Sequence, residues 1–419
     1  MESQRRGERL RPGPGQDPER VAADQRARLL GAMADLVYER GYEGVKVQEL
    51  VARAHVTKPT FYRLFSGKED CFSAAFATDT EGAFAWTEDS TAGRADRRLL
   101  LERGLDGFGE AVASMPAAAC LILQEPISVG DEAQAGMRQV ERRFVDLMIR
   151  RFGELEQPVE LPFPLARGIM TGLEWVARWR LNLDQPEEMR SDAAELVDWA
   201  MAVSEVEDWN EFRRRWDEQP AREAGRGTVP TLTGDDERAT LVNAAVRLVT
   251  EGGYDALAPA AIAAGAGVPK RRFGEHFDTV ADCLSVAVEL GAASAISDAR
   301  TAYRAGEPGP SGVARSVDAL ARYLAANPGI ARLLFVEIYR PGRTTTKRGA
   351  GILSALAAML CARLPGLSRP SAEASVGAIW CSIRYEMEEG RMGALAQYSP
   401  VLVWLALAPS ASRGATAIF

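Results

Sequence analysis

Few side chains in this sequence could carry out covalent chemistry. There are two histidines, His55 and His276, and five cysteines, Cys71, Cys120, Cys283, Cys361 and Cys381. No Cys-x-x-Cys pair occurs, and neither histidine stands beside a candidate nucleophile. A disulfide framework or zinc site is therefore not expected. No phosphate-loop pattern appears either, so the expectation is a non-enzyme with no catalytic residue, metal or cofactor. What remains is electrostatic. From Arg53 to Lys68 the charged residues are Arg53, Lys58, Arg63 and Lys68, all positive, in a chain of net charge -8. A carboxylate-free basic window in an acidic protein is a place where a phosphate backbone could approach.

The elements around that window would present it outward. Leu50, Val51 and Ala54 recur at helical spacing, which predicts a short amphipathic helix over Gln48 to Ala54. His55-Val56 breaks the phase. Thr57 can cap the next helix, because its hydroxyl accepts from a free N–H of the first turn. Pro59 falls in that first turn, where a missing N–H costs nothing. Phe61, Leu64 and Phe65 then face inward, leaving Lys58, Thr60, Tyr62 and Arg63 outward. Two short helices joined by a tight turn, the second basic on its outer face, make a helix-turn-helix suited to the DNA major groove.

The same residues carry a family resemblance. A helix from about Gln25, then Arg-Gly-Tyr, then Thr57-Lys-Pro-Thr-Phe-Tyr-Arg-Leu-Phe-Ser-Gly-Lys-Glu-Asp70, resembles the DNA-binding domain of TetR-type transcriptional regulators. The specific part is the Phe-Tyr-x-x-Phe-x-x-Lys-Glu run. The resemblance implies that Lys58, Pro59, Thr60 and Tyr62 meet bases and backbone in the groove. It also implies that Thr57 and Lys68 hold phosphates, Lys68 from a helix start whose dipole favours an anion.

At 419 residues the chain is too long for one ordinary core, and 47% hydrophobic content supports globular folding. No uninterrupted apolar run approaches the ~18 residues of a membrane span; the longest candidate is Val401 to Ala408. No signal peptide is visible, so a cytoplasmic protein without membrane contact is expected.

Self-comparison is more informative. Shifted by 212 residues, Gly41-Tyr42 falls on Gly253-Tyr254, Ala54 on Ala266, Val56 on Val268 and Lys58 on Lys270. Phe61 falls on Phe273, Phe65 on Phe277, Asp70 on Asp282 and Cys71 on Cys283. No gap is needed over about 50 residues, which predicts two copies of one unit, with Cys71 and Cys283 as buried small hydrophobes. The second copy diverges: Tyr62 becomes Gly274, Thr57 becomes Pro269 and Lys68 becomes Val280. It gains Lys270-Arg271-Arg272, partly offset by Glu275 and Asp278, and His276 stands where the family often has a histidine near phosphate. His55 replaces the glycine seen at Gly267, at a position expected to need a left-handed backbone.

The fold class read from this is all-α: two TetR-like repeats, each a three-helix DNA-binding domain followed by a helical ligand and dimerisation bundle. The boundaries are a disordered Arg/Pro/Gly-rich arm at 1–20, a first helix-turn-helix domain at 21–72 and a first bundle at 73–216. A linker at 217–233, a divergent second helix-turn-helix domain at 234–284, a second bundle at 285–408 and a frayed tail at 409–419 follow. Helices are expected near 96–114, 117–128, 132–153, 163–183 and 191–216, and again near 312–326, 328–339, 347–363, 371–391 and 397–408. Gly168, Gly172, Leu173, Val176 and Trp179 form one flat apolar face, and Gly377, Ala378, Trp380, Cys381 and Met387 form its counterpart. Aromatic and Met residues such as Phe108, Phe144, Met148, Tyr323, Phe335 and Tyr339 could line pockets, but such residues are more often plain core, and none is taken as a ligand residue.

The family pairs subunits to place recognition helices ~34 Å apart. Here the two bundles would pack as an intramolecular pseudo-dimer, at an effective concentration that can reach the mM range. Such a protein is a ligand-responsive repressor with two partners, a double-stranded DNA operator of asymmetric sequence and an unidentified small-molecule effector. Further homodimerisation is left open. The rival reading is a small-molecule-binding helical protein whose second DNA-binding domain has lost DNA contact.

Overall fold

The computed structural model describes residues 17–93, 96–124, 131–217, 237–253, 256–305, 308–335 and 343–411. Among them the chain is helical, with no strand. The first half runs α1 (Pro18–Arg40), α2 (Val47–Arg53), α3 (Lys58–Leu64), α4 (Lys68–Ser90), α5 (Arg97–Ser114), α6 (Pro116–Leu123), α7 (Asp131–Gly153), α8 (Phe163–Asn182), α9 (Glu188–Val203) and α10 (Val206–Asp217). The second half runs α11 (Glu237–Gly252), α12 (Pro259–Gly265), α13 (Lys270–His276), α14 (Val280–Arg304), α15 (Pro310–Ala326), α16 (Pro328–Phe335), α17 (Arg343–Arg363), α18 (Arg369–Glu388) and α19 (Leu395–Ala411).

Several boundaries differ from expectation, each for a local reason. α1 starts at Pro18 rather than near Gln25, because Asp17 caps it by accepting from the Glu19 N–H and Pro18 suits a first turn. The arm expected at 1–20 therefore lies outside the described residues only up to residue 16. The single helix expected over 191–216 is two. Arg97 donates to the Ser204 carbonyl at 2.9 Å and pairs with Glu205 at 2.5 Å, satisfying the end of α9 so that the chain restarts at Val206. The tail expected from Pro409 is helical through Ala411, since a proline in a last turn removes one bond only. The linker beyond Asp217, Tyr254 and Tyr339 lie outside the described residues.

Two helices have the length and composition of a membrane span, Val280–Arg304 with mean hydropathy 1.5 and Met392–Ser410 with 1.3. Counting uninterrupted apolar runs misses them, because Asp, Ser, Glu and Gly interrupt the first and Gly, Gln, Ser and Pro the second. In the fold 67% of the apolar window of the second is buried, and 28% of that of the first. α14 buries Cys283, Leu284, Ala287, Gly291 and Ala295 against its neighbours, and α19 buries every residue from Val401 to Ala408.

The N-terminal three-helix unit has its own core. Leu29, Met33, Leu50, Phe61 and Phe72 are buried together around Cys71, whose thiol burial pushes up to about 12. The unit from α11 to the start of α14 repeats this with Leu241, Ile262, Phe273 and Leu284 around Cys283, also pushed up to about 12 by burial. The bounds of α2 and α12 differ by 212 residues, as do those of α3 and α13 and the starts of α4 and α14.

The main core is shared between the two halves of the chain. α8 lies along α18, and α9 and α19 flank that pair. Glycines permit the close crossing: a Cβ on Gly377 would fall 2.3 Å from Trp175, and one on Gly172 would fall 2.8 Å from the Ala374 carbonyl oxygen. At Gly168 a Cβ would meet the Leu405 side chain at 2.6 Å. The indole N–H groups bond across the seam, Trp404 Nε1 donating to the Val203 carbonyl at 3.0 Å. Burying side chains as large as Trp199 and Trp404 yields roughly 1.5–3 kcal/mol each, so this seam outweighs any single surface contact.

Candidate nucleic-acid interface

The turn between α2 and α3 is closed by backbone geometry. The Val56 N–H donates to the Val51 carbonyl at 3.0 Å and the His55 N–H to the Ala52 carbonyl at 3.2 Å, the paired bonds of a Schellman helix end. That end needs a left-handed residue, and His55 supplies it with φ 52°. The second unit closes the same way, through Val268 to Ala263 and Gly267 to Ala264, each at 3.0 Å, with Gly267 at φ 73°. Arg28 further clamps the first turn from α1, donating to the Ala54 carbonyl at 2.6 Å.

Thr57 caps α3: its Oγ1 accepts from the Thr60 N–H at 3.3 Å and shares a 2.9 Å bond with the Thr60 hydroxyl. Phe61 is fully buried beneath α3, edge-on to Tyr62 and tilted against Phe65. The outer face then consists of Lys58, Pro59, Tyr62 and Arg63, all exposed, with Thr60 half-buried. Tyr62 is 58% exposed, which is unusual for so large a ring and leaves it available for stacking or hydrogen bonding. Among the described residues Lys58 makes no hydrogen bond or ion pair. Lys68 opens α4, donating to the Tyr42 carbonyl at 3.1 Å with its ammonium 4.0 Å from the Tyr42 ring centre. That pose fixes a cation beside the helix start.

The basic window is less open in space than in sequence. Arg53 is paired with Glu39 through two bonds of 2.5 and 3.0 Å, so its charge is compensated. Arg63 donates to the Gln25 side chain at 2.9 Å, which draws its guanidinium toward α1.

The second unit differs more sharply. Lys270 and Arg271 are exposed at the start of α13, with Glu275 3.8 Å from Arg271. Arg272 is bound at 2.5 Å by Glu237 and also pairs with Glu275, and His276 Nε2 lies 3.2 Å from the same Glu237 oxygen. The bonds from Arg272 and then His276 hold the Glu237 carboxyl below its usual range. Of the residues expected to face DNA there, Arg272 and His276 are thus turned onto a carboxylate of their own domain. Pro269 caps α13 without a side-chain bond, and Gly274 leaves the position of Tyr62 bare. Sequence inspection missed Thr279, which with Asp282 forms a reciprocal capping box at the start of α14; the Thr-x-x-Asp spacing would have revealed it.

A cavity of about 460 Å³ opens between the halves, lined by Arg142 and Phe163 from α7 and α8 and by Tyr385, Glu386, Arg391 and Tyr398 from the far end of the chain. None of these residues was singled out in the sequence as a pocket residue. Of those that were, Tyr323 and Phe335 are buried core, and Phe335 stacks on Trp380 with ring centres 3.9 Å apart.

Residues 29–75 match the family model for bacterial regulatory proteins of the tetR family. The chain therefore carries a TetR-type N-terminal helix-turn-helix domain. Its relatives include the HTH-type transcriptional activator FasR of Mycolicibacterium smegmatis, 24% identical over 203 residues, which span 47% of this chain and 91% of the relative. An uncharacterized HTH-type transcriptional regulator of Bacillus subtilis, YdgC, is 37% identical over 83 residues, covering 20% of this chain and 38% of its own length. A solved structure, the transcriptional regulator FadR of Bacillus subtilis in complex with stearoyl-CoA, is similar over 42% of this chain and 96% of that one, with a TM-score of 0.37 and 18% identity.

Proposed function

We propose that the chain is a sequence-specific, DNA-binding transcriptional regulator acting in the cytoplasm on a double-stranded operator. The observation that carries this reading is the outer face of α3, where Lys58 and Tyr62 stand exposed over a buried Phe61 in a TetR-type domain. Thr57, Lys58, Pro59, Thr60, Tyr62 and Lys68 form the first reading surface, Lys58 and Tyr62 toward base edges and Lys68 toward phosphate. Lys270 and Arg271 form the second, and Arg63, Arg272 and His276 join only by leaving Gln25 and Glu237.

The chain is read further as two TetR-like repeats fused in one polypeptide and paired as a pseudo-dimer. Support comes from the constant 212-residue offset of the helix-turn-helix elements and from the crossing of α8 with α18. Unlike reading faces would select an asymmetric operator. The inter-half cavity is the candidate effector site: a ligand filling it touches both halves, so one that prefers a different helix spacing would shift DNA affinity. The direction is taken as repression. The activator name of the mycobacterial relative makes activation the second reading, and a reporter carrying the selected operator separates them.

Binding-site selection followed by a salt titration tests the core of this. Several phosphate contacts give a steep loss of affinity with salt. A perfect palindrome would count against unlike heads, and a half-site read only by the first unit would support a second domain that has lost DNA contact, the reading favoured by Glu237 holding Arg272 and His276. No salt-dependent binding at all would remove the proposal.

A further inference from the structure

We infer that the paired faces of α8 and α18 carry a charge code that admits the opposite half of the chain and rejects a second copy of the same half. The inference rests on the paired-halves reading and deepens it by naming the partner. α8 and α18 are each 20 residues long and their bounds differ by 206 residues, so positions can be compared one for one. Pro164 stands at the place of Pro370, Ala166 at Ala372, Arg178 at Arg384 and the aromatic Trp179 at Tyr385. At two positions the charge reverses: Arg167 stands at the place of Glu373, and Arg180 at the place of Glu386. All four are buried, with exposures of 4–5%.

The helices cross antiparallel, so one reversed pair meets directly and the other is brought to neighbouring positions. Arg180, near the end of α8, has Nη2 3.0 Å from Glu373 Oε2, near the start of α18. Arg167, near the start of α8, donates to the Cys381 carbonyl at 3.3 Å and lies 3.8 Å from the ring centre of Tyr385, the residue before Glu386. Partners within each half complete the network without replacing the cross-half pair. Asp192 lies 2.8 Å and Glu188 3.2 Å from Arg180, Arg369 lies 2.6 Å from Glu373, Glu141 2.7 Å from Arg167, and Arg391 2.8 Å from Glu386. Two first halves set together in this geometry would bury Arg180 against Arg167. Two second halves would bury Glu373 against Glu386. Juxtaposed like charges in a desolvated seam disfavour those pairs strongly, while the unlike pair is permitted. The apolar and glycine contacts bind; the charges choose.

Two full-length variants test the code. R167E/R180E gives a chain acidic on both faces, and E373R/E386R gives one basic on both. Each alone should melt on the order of 10 °C below the parent protein. Refolded together they should form a 1:1 complex of twice the 45.4 kDa chain mass and recover most of that loss, because the unaltered second half of the acidic chain meets the unaltered first half of the basic one. R180M/D192N/E373M removes the cross-half pair and the shielded carboxylate that Arg180 also binds, leaving only the exposed Glu188 and Arg369 without that partner; it should melt within a few degrees of the parent and shows that these positions accept substitution. Either charge variant melting like the parent, or a mixture yielding no 1:1 complex, overturns the code. G377L drives a side chain into Trp175 without altering charge. If it too leaves the melt unchanged, the pairing itself is refuted; if it lowers the melt while the charge variants do not, the code alone falls.

Discussion

Trp199 Nε1 donates a 2.9 Å hydrogen bond to Ser375 Oγ, joining two buried residues that are 176 positions apart in sequence. The bond crosses the seam between the halves where backbones are too close for water to substitute. Replacing Ser375 with Ala removes the acceptor without adding bulk to the seam and leaves the indole N–H unpaired. The expected cost is about 1–3 kcal/mol, read as a lower midpoint in urea with the slope of the transition unchanged. A change under about 0.5 kcal/mol would mean the seam relaxes around the loss.

Lys58→Ala and Tyr62→Ala bear on the first reading face. Both side chains are exposed, so folding stability should move by no more than about 0.5 kcal/mol. Operator affinity should fall by roughly 1–3 kcal/mol wherever the residue meets a base edge. Gel-shift titrations of the selected site check this, and undiminished binding by both variants would show that α3 is not the reader.

Glu237→Gln bears on the second. Removing the carboxylate frees His276 and leaves Arg272 only its exposed partner Glu275, while keeping the side-chain shape. DNA affinity should rise, and the slope of log affinity against log salt should steepen by about 1 as a freed guanidinium takes a phosphate. An unchanged slope would indicate that α13 makes no DNA contact.

Asp79, on α4, is raised to about 6 by burial. Its folded value lies above its ordinary 3.8, so the folded state keeps the proton that the unfolded chain releases. The contribution to stability is therefore full below pH ~4 and is lost as pH rises through about 6, on the order of 1–3 kcal/mol in all. Asp79→Asn should flatten that part of the stability profile, as measured by urea melts from pH 4 to 7. A profile as steep as the parent's would assign the slope to other groups.

The helix-turn-helix was legible because its signals are local. Thr57 caps within three residues, Phe61 and Phe65 share a face, and His55 and Gly267 mark the same backbone turn by what they replace in one another. The charge pattern was less legible. Arg53 finds Glu39 across 14 residues, Arg63 finds Gln25 across 38, and His276 finds Glu237 across 39, so a window that reads as uniformly basic is partly neutralised by α1 and α11. The cavity was invisible for the same reason at larger scale. Phe163 and Tyr385 meet only because α8 crosses α18, and nothing periodic in either segment marks them. Glycines at 168, 172 and 377 did announce a close crossing, since each would otherwise clash with an aromatic ring, a leucine or a carbonyl.

The shared core has a consequence for how the protein responds to its own abundance. An ordinary two-subunit regulator separates on dilution, so its activity falls faster than its amount. Here helices from both halves of one polypeptide interlock, and dilution cannot part them. On the proposed pseudo-dimer reading, with no further pairing of chains, occupancy of a target should track the first power of the number of molecules, and a higher power would show that two chains associate to bind.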